Sequence, residues 1–464
     1  MIRKARSNPG GGSLPNQLAA LDQRLGPIQH RPIGDLRAYQ NNPRKHPEKQ
    51  IIKLMAAMRE FGFTIPVLID ADGTIISGEA RVEAARRLGS TEIPVLVADQ
   101  WSQAQIRAYR IADNKLASLS KWDDELLAVE ISAIIDLGEI EIEGFGFDTG
   151  EIDVLVAGVT SNSQSADSAD AAVPIPADPV SRLGDLWLLE RHRLLCGSSL
   201  DGLAWEKLLD GLVGAMAFSD APYNVKVAGH VCGLGKVQHA EFAMASGEMS
   251  EVEFTRFLTE GISAMAGHLR DGAILALCMD WRHLRELFAA VDACALTTIN
   301  LCVWNKTNGG MGSLYRSKHE LVVIAKKGAA PHTNNVELGR HGRYRTNVWD
   351  YAGVNSFGAT RMEDLGDHPT VKPVAMVADA IRDVTKPGDV VLDGFIGSGT
   401  TILAAERTKR VACGIDIEPA YVDVAIRRWQ TMTGKNAVLA ETGETFAEVA
   451  ECRAADAADA TDPV

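Results

Sequence analysis

Residues 390–401 read V-V-L-D-G-F-I-G-S-G-T-T, and this stretch decides the fold. A short apolar run, Val390-Val391-Leu392, ends at Asp393 and turns through Gly394, Gly397 and Gly399 into a helical pattern over 401–406. Strand, glycine turn and helix in that order bring backbone close to a ligand at a strand's carboxyl end. Lacking Cβ atoms, Gly397 and Gly399 can take positive φ and leave the chain bare. A second apolar run, 411–415, ends in Asp416, whose carboxylate could accept hydrogen bonds from two ribose hydroxyls. Three ligands compete for such a turn. A phosphate-binding P-loop needs Lys-Ser/Thr after the last glycine, where Thr400-Thr401 stand. A dinucleotide fold needs a third glycine, and Ile402 takes that place. S-adenosylmethionine, an adenosine without phosphates, needs the turn and the ribose acid but no anion cradle.

The 464 residues allow two or three domains, and 46% hydrophobic with 23% charged residues is the balance of a soluble globular protein. No apolar run approaches the ~20 residues that cross a bilayer. Residues 1–26 are basic and glycine-rich without a signal peptide's apolar core, and read as a disordered tail. Seven scattered cysteines with no C-x-x-C pair favour a reducing cytoplasm over a structural zinc site. The net charge of −14 is a mean that leaves local basic patches open.

Residues 27–120 form a small α/β pattern: a basic turn at Asn42-Pro43-Arg44, an amphipathic helix over 48–61, strands at 66–70 and 74–76, then Gly78-Glu79-Ala80-Arg81 opening a helix. Glycine and arginine at a helix N-terminus make a phosphate seat. This segment resembles the ParB-like N-terminal domain through Asn42-Pro43-Arg44 and the box Gly78-Glu79-Ala80-Arg81-Val82-Glu83-Ala84. The resemblance implies contact between Arg44, Gly78, Glu79, Arg81 and a nucleotide's phosphates. Ala80 stands where nucleotide-hydrolysing members are commonly basic, which argues against hydrolysis. No ParB-type helix-turn-helix stands out beyond it; residues 121–156 read as a helical cap, and the Ser/Ala/Asp/Pro-rich 157–180 as a linker.

From 181 to 436, strands and helices alternate, which predicts a mostly parallel sheet with helices on both faces. Residues 437–464 read as a tail. The apolar run 214–219 ends in Asp220-Ala221-Pro222-Tyr223, where α/β folds place reactive groups. An exocyclic amine has its lone pair drawn into the base. Accepting its two N–H bonds, through the Asp220 carboxylate and the Ala221 carbonyl, favours a more nucleophilic nitrogen, and Tyr223 could stack on a base rotated out of a duplex.

The order Asp220-Ala221-Pro222-Tyr223, His368-Pro369-Thr370-Val371-Lys372-Pro373, Phe395-Ile396-Gly397-Ser398-Gly399 and Gly414-Ile415-Asp416 resembles a β-class amino-DNA methyltransferase of the D-P-P-Y type. The resemblance implies an S-adenosylmethionine-dependent, Rossmann-like fold. It implies that Asp220 and Tyr223 hold the target amine and base, that Phe395, Gly397, Ser398, Gly399 and Thr400 border the cofactor's methionine end, and that Asp416 holds its ribose. Thr370 and Lys372 would line the pocket's far side and Ser198 lie near the adenine. Aspartate as the first residue, rather than serine, resembles members that methylate adenine N6 rather than cytosine N4. No metal is required. Double-stranded DNA is the expected partner, and a homodimer is an open expectation that no stretch decides.

Two positions depart from the family. Ala221 replaces a proline, keeping the carbonyl at a stiffness cost of roughly 0.4–1 kcal/mol. Ser198 stands where relatives carry aspartate. These leave a catalytically weakened DNA-binding regulator as an alternative reading, beside a cytosine-N4 DNA methyltransferase as a closer one. Target recognition is expected at about 305–361, where Lys306, Arg316, Lys318, Lys326, Lys327, Arg340, Arg343 and Arg345 interleave with Tyr315, Tyr344 and Trp349. Residues 224–249 carry His230, Cys232 and His239 but read as a loop closing over the flipped base rather than a metal site.

Overall fold

The run that opens at Val390 lies at the middle of a ten-stranded sheet, flanked by a partner strand on each side. The computed structural model describes residues 25–140, 142–160, 167–171, 173–224, 247–306, 314–336, 345–353 and 371–460. Contacts divide the chain into two units, 1–127 with 140–148 and 128–139 with 149–464.

The first unit contains β1 (Gln29–Pro32), α1 (Glu48–Phe61), β2 (Val67–Ile69), β3 (Ile75–Ser77), α2 (Glu79–Arg87), β4 (Glu92–Val97) and α3 (Gln103–Ala117). Its sheet order is β1-β4-β2-β3, with β2 and β4 parallel. Val67, Ile69, Val82, Ile93 and Val95 form the core. Helix α3 starts at a reciprocal cap in which Ser102 accepts from the Gln105 N–H and Gln105 accepts from the Ser102 N–H.

Helix α4 (Asp124–Leu137) crosses the division between the units, and α5 (Thr149–Thr160) belongs to the second. There follow β5 (Leu186–Leu189), β6 (His192–Cys196), α6 (Gly202–Leu209), β7 (Gly214–Ser219), α7 (Glu251–Gly267), β8 (Leu269–Met279), α8 (Leu284–Ala293), β9 (Thr297–Asn305), β10 (His319–Lys326) and β11 (Val348–Asp350). The chain closes with α9 (Val374–Val384), β12 (Val390–Asp393), α10 (Thr400–Arg407), β13 (Val411–Asp416), α11 (Pro419–Thr433), β14 (Val438–Leu439) and α12 (Phe446–Ala460). The sheet order is β11-β9-β10-β8-β7-β12-β13-β6-β5-β14. The central five strands, β8 to β6, are parallel, and antiparallel pairs extend them at both sides.

Alternation along the central strands feeds one core on each face. Met216, Phe218 and Val391 join Ile381, Ile402 and Trp429 on one face. Ala217, Leu392 and Ile415 join Trp205, Phe254 and Leu258 on the other. Both faces are therefore covered, as a buried parallel sheet requires.

Two expectations are corrected at the margins. The C-terminal stretch is no tail: β14 pairs with β5, and Phe446 and Val449 of α12 are buried. The described part of the linker, 167–171 and 173–180, is pinned by polar contacts that low hydrophobicity did not announce. Asp167 makes a two-point ion pair with Arg407, and Asp170 Oδ1 accepts the Val374 N–H at the start of α9. Asp423 accepts the N–H groups of Val180 and Ser181.

Candidate functional site

Leu392 of β12 lies beside Ala217 of β7, so Asp220-Ala221-Pro222-Tyr223 and the glycine turn leave the sheet side by side at its carboxyl edge. The turn is held from behind. Gly399 has φ +81°, and a Cβ there would lie 2.6 Å from the Ala425 Cβ of α11. Gly397 has φ +50° with open space where a side chain would project. One glycine permits packing and the other leaves room for a ligand. Gly399→Ala is therefore expected to cost at least about 1–3 kcal/mol through positive φ and overpacking. A thermal melt and a cofactor titration together check it.

The Gly397 N–H donates to Asp416 Oδ2 at 2.8 Å, and the Glu418 N–H to Oδ1 at 2.9 Å. Burial pushes the Asp416 carboxyl up to about 6 against these two bonds. Backbone open at Gly397 beside an acceptor-only carboxylate suits a neutral ribose diol. Ser398 and Thr400 do not present free hydroxyls to it. Arg428 of α11 donates to the Ser398 carbonyl (2.7 Å), Ser398 Oγ (2.8 Å) and Thr400 Oγ1 (3.3 Å), and also to the Ala169 carbonyl at 2.8 Å. Burial lowers the Arg428 guanidinium to about 10. These two side chains thus clamp the turn to α11. Ser198 Oγ accepts from the Leu200 N–H at 3.3 Å. Phe395 packs on Phe257 with ring centres 5.7 Å apart. Thr370 lies outside the described residues.

At the neighbouring strand end, Asp220 Oδ1 accepts from the Tyr223 hydroxyl at 2.6 Å and Oδ2 from the Lys372 ammonium at 2.5 Å. The Lys372 ammonium thus lies with Asp220 and Tyr223 rather than with the glycine turn. Glu320, absent from the sequence reading, completes the group. Its Oε2 lies 3.0 Å from Lys372 Nζ and 3.2 Å from the Tyr223 hydroxyl, and its Oε1 meets the Lys306 ammonium. Register explains its arrival. Strand β10 runs antiparallel to β8 with Leu321 beside Met279, so its first residues lie at the edge where the parallel strands end. Although burial opposes ionisation of Glu320, Lys372 and Lys306 hold it at about 2. Burial disfavours the Lys372 cation, but Asp220 and Glu320 outweigh that and raise it. Burial, with the same two carboxylates, pushes the Tyr223 hydroxyl well up. Asn224, at φ +52°, accepts from the Gly247 and Met249 N–H groups and donates to the Met249 carbonyl, fixing the far side of the motif.

Several residues expected at DNA are spent internally. Arg345 bonds Asp383 and Tyr351, Lys326 the Ala330 carbonyl, Lys327 the Ala266 and Leu269 carbonyls, and Trp349 is buried. Tyr315, Arg316 and Lys318 are exposed just ahead of Glu320. Arg340, Arg343, Tyr344, His230, Cys232 and His239 lie outside the described residues.

In the first unit the two quoted motifs meet. Asn42 donates to Glu79 Oε2 at 2.5 Å, and Arg44 donates to Asn114 at 2.5 Å. Gly78, at φ +108°, precedes α2, and the Arg81 guanidinium lies over it, 2.9 Å from where a Cβ would sit. Arg81 also donates to the Ile65 carbonyl at 2.8 Å.

Comparison with known proteins agrees with this layout. A family model for N6/N4 methyltransferases, described as DNA methylase, matches residues 215–427; the ParB N-terminal domain matches 18–114. The ParB-methyltransferase HTH domain matches 125–183, which corrects the expectation that a cap and linker rather than a helix-turn-helix follow the ParB-like segment. Type II methyltransferase M.HpaI of Haemophilus parainfluenzae is 24% identical over 251 residues, covering 51% of this chain and 74% of the relative. Type II methyltransferase M2.DpnII of Streptococcus pneumoniae is 26% identical over 229 residues, covering 48% and 84%. The crystal structure of the M1.HpyAVI–SAM complex aligns with TM-score 0.36 at 19% identity, over 50% of this chain and 96% of that one. The methylase family uses S-adenosylmethionine as its methyl donor. With its N6/N4 methylase domain over residues 215–427 and a ParB N-terminal domain ahead of it, the chain is a DNA methyltransferase.

Proposed function

We propose that the protein methylates the exocyclic N6 of adenine in double-stranded DNA. The observation that carries this reading is the emergence of Asp220 beside the Gly397 turn at the ends of adjacent strands. S-adenosylmethionine supplies a methyl group already activated on a sulfonium. Gly397 would offer bare backbone to it, with Gly399 letting α11 close behind the turn, while Phe395 would border it and Asp416 accept its ribose hydroxyls. Asp220 and the Ala221 carbonyl accept the two N–H bonds of the target amine, and Tyr223 stacks on the extruded base. Alignment of amine and methyl then provides most of the acceleration. Aspartate at 220 favours adenine N6 over cytosine N4.

Labelled cofactor and mixed-sequence duplex DNA, followed by digestion to nucleosides, test this directly. N6-methyladenine is the expected product. N4-methylcytosine would overturn the base assignment, and cofactor binding without transfer to any duplex would leave a DNA-binding regulator. Exposed Tyr315, Arg316 and Lys318 supply phosphate and stacking contacts beside the site. In the first unit, the N-terminus of α2 with Arg81 and Arg44 takes a nucleotide phosphate.

The cofactor reading carries a pH dependence. Ribose hydroxyls donate to ionised Asp416, and its carboxyl titrates at about 6. Affinity is therefore full above that pH and falls below it, by about tenfold at pH 5 for a single linked proton. Calorimetric titration of S-adenosylmethionine at pH 5 and pH 7.5 reads the change, and Asp416→Asn should flatten it.

A further inference from the structure

We propose that Glu320 is a positioning residue for methyl transfer, taking the Lys372 ammonium and the Tyr223 hydroxyl from Asp220 when the target amine arrives. This rests on the reading of Asp220 as the amine's acceptor.

As the chain stands, Asp220 is occupied. Tyr223 donates to one oxygen at 2.6 Å and Lys372 to the other at 2.5 Å. Both donors also lie within reach of a single atom, Glu320 Oε2, at 3.2 and 3.0 Å. Neither has to leave the cluster to change carboxylates; each needs only to shift its hydrogen bond.

The electrostatics require such a shift. As the amine nitrogen bonds to the methyl carbon, the carbon–sulfur bond breaks to leave a neutral thioether, and the nitrogen carries the positive charge until it releases a proton to water. A lysine ammonium held against its acceptor would oppose that charge in a site with little water to screen it. Moved to Glu320, the same ammonium is farther from the reacting nitrogen and remains paired. Lys306 supports the exchange from behind by neutralising Glu320 Oε1, and the indole of Trp304 lies 4.5 Å from Lys306 Nζ and 5.8 Å from Lys372 Nζ. Glu320 and Lys306 come from the adjoining ends of the antiparallel strands β10 and β9, where His319 lies beside Asn305. Two ammoniums balance the two carboxylates, yet both carboxylates reach the same Lys372 ammonium and the same Tyr223 hydroxyl, which separate ion pairs would not require.

The test compares full-length wild type, Glu320→Gln, Glu320→Asp and Asp220→Ala. Each is assayed for single-turnover transfer to duplex DNA, S-adenosylmethionine affinity, DNA affinity and melting temperature. Loss of a charged acceptor predicts a rate roughly 10–100-fold lower for Glu320→Gln. Both affinities should stay within about twofold, and Glu320→Asp, which keeps the charge, should recover part of the rate. A wild-type rate in Glu320→Gln, or a rate loss matched by equal losses of affinity and melting temperature in both Glu320 variants, overturns the inference. If Asp220→Ala is inactive while Glu320→Gln is normal, only this inference fails. If Asp220→Ala transfers methyl groups normally, the reading of Asp220 fails with it.

Discussion

Asp220→Ala should lower methyl transfer by roughly 10²–10⁴-fold, the span seen when a positioned acid–base or charge-stabilising group is removed. Its binding of S-adenosylmethionine should stay near that of the wild type. The separation of effects follows from placement. Asp220 follows β7, whereas the expected cofactor contacts lie on the turn after β12 and at Asp416, the last residue of β13. Truncation should not unfold the site, because Lys372 keeps Glu320 as a counter-ion and Tyr223 keeps its bond to the same carboxylate. Asp220→Asn is the sharper variant. Its amide retains one acceptor oxygen but points donors at the Lys372 ammonium or at the amine, so shape alone should rescue little. Tyr223→Phe should be milder, since the ring that stacks remains and only the hydroxyl is lost. Equilibrium dialysis with labelled cofactor alongside single-turnover transfer separates these outcomes. Transfer at the wild-type rate in Asp220→Ala would remove that carboxylate from the mechanism.

Much of this arrangement is legible in the sequence. Gly399 had to be glycine because of its turn, and α11 packs against it at a distance no Cβ tolerates. Asp220 and the glycine turn lie far apart in sequence, yet each ended an apolar run, and parallel pairing of β7 with β12 brings such ends together. Glu320 was not legible for a related reason. It opens its strand, and a residue there reaches the carboxyl edge only if the strand is antiparallel to its neighbour. The apolar pattern of 321–325 reports burial and gives no direction. The hydroxyls of Ser398 and Thr400 misled because their motif names a ligand-facing turn, while their partner, Arg428, lies on a later helix. Lys306 and Arg345 looked like DNA contacts because composition counts cations without showing which carboxylates β10 and α9 place beside them. Low hydrophobicity marks 157–180 as a linker, but its described residues are held by Asp167, Asp170 and Asp423, through ion pairs and caps that no apolar scale registers.

The same kind of contact underlies the second large effect, which concerns stability. Asp153→Ala should destabilise the methylase unit by about 3–5 kcal/mol, the cost of leaving a buried charge without its partner. Arg410 is fully buried, and all five of its N–H groups have acceptors. Nε donates to Thr385 Oγ1, Nη1 to Asp153 Oδ1 and the Thr408 carbonyl, and Nη2 to Asp153 Oδ2 and the Thr385 carbonyl. Removing the carboxylate strands two donors and a cation where water does not reach. For a unit of this size that corresponds to a fall in melting temperature of about 4–7 °C. Asp153 lies on α5, whose Ile152 and Val156 are also buried, so the pair fixes that helix as part of the catalytic unit rather than as a loose cap. Asp153→Asn should be nearly as damaging, because it keeps the shape but not the charge. Asp153→Leu combined with Arg410→Met should be clearly more stable than Asp153→Ala, since an apolar pair of similar bulk leaves no buried ion to compensate. The Thr408 carbonyl would then lack a donor, whereas that of Thr385 keeps the Asn335 amide, which sets the residual loss at about 1–3 kcal/mol. Differential scanning calorimetry on the three variants decides the matter: a melting temperature unmoved by Asp153→Ala would mean that α5 is held by its apolar face and that the ion pair contributes nothing.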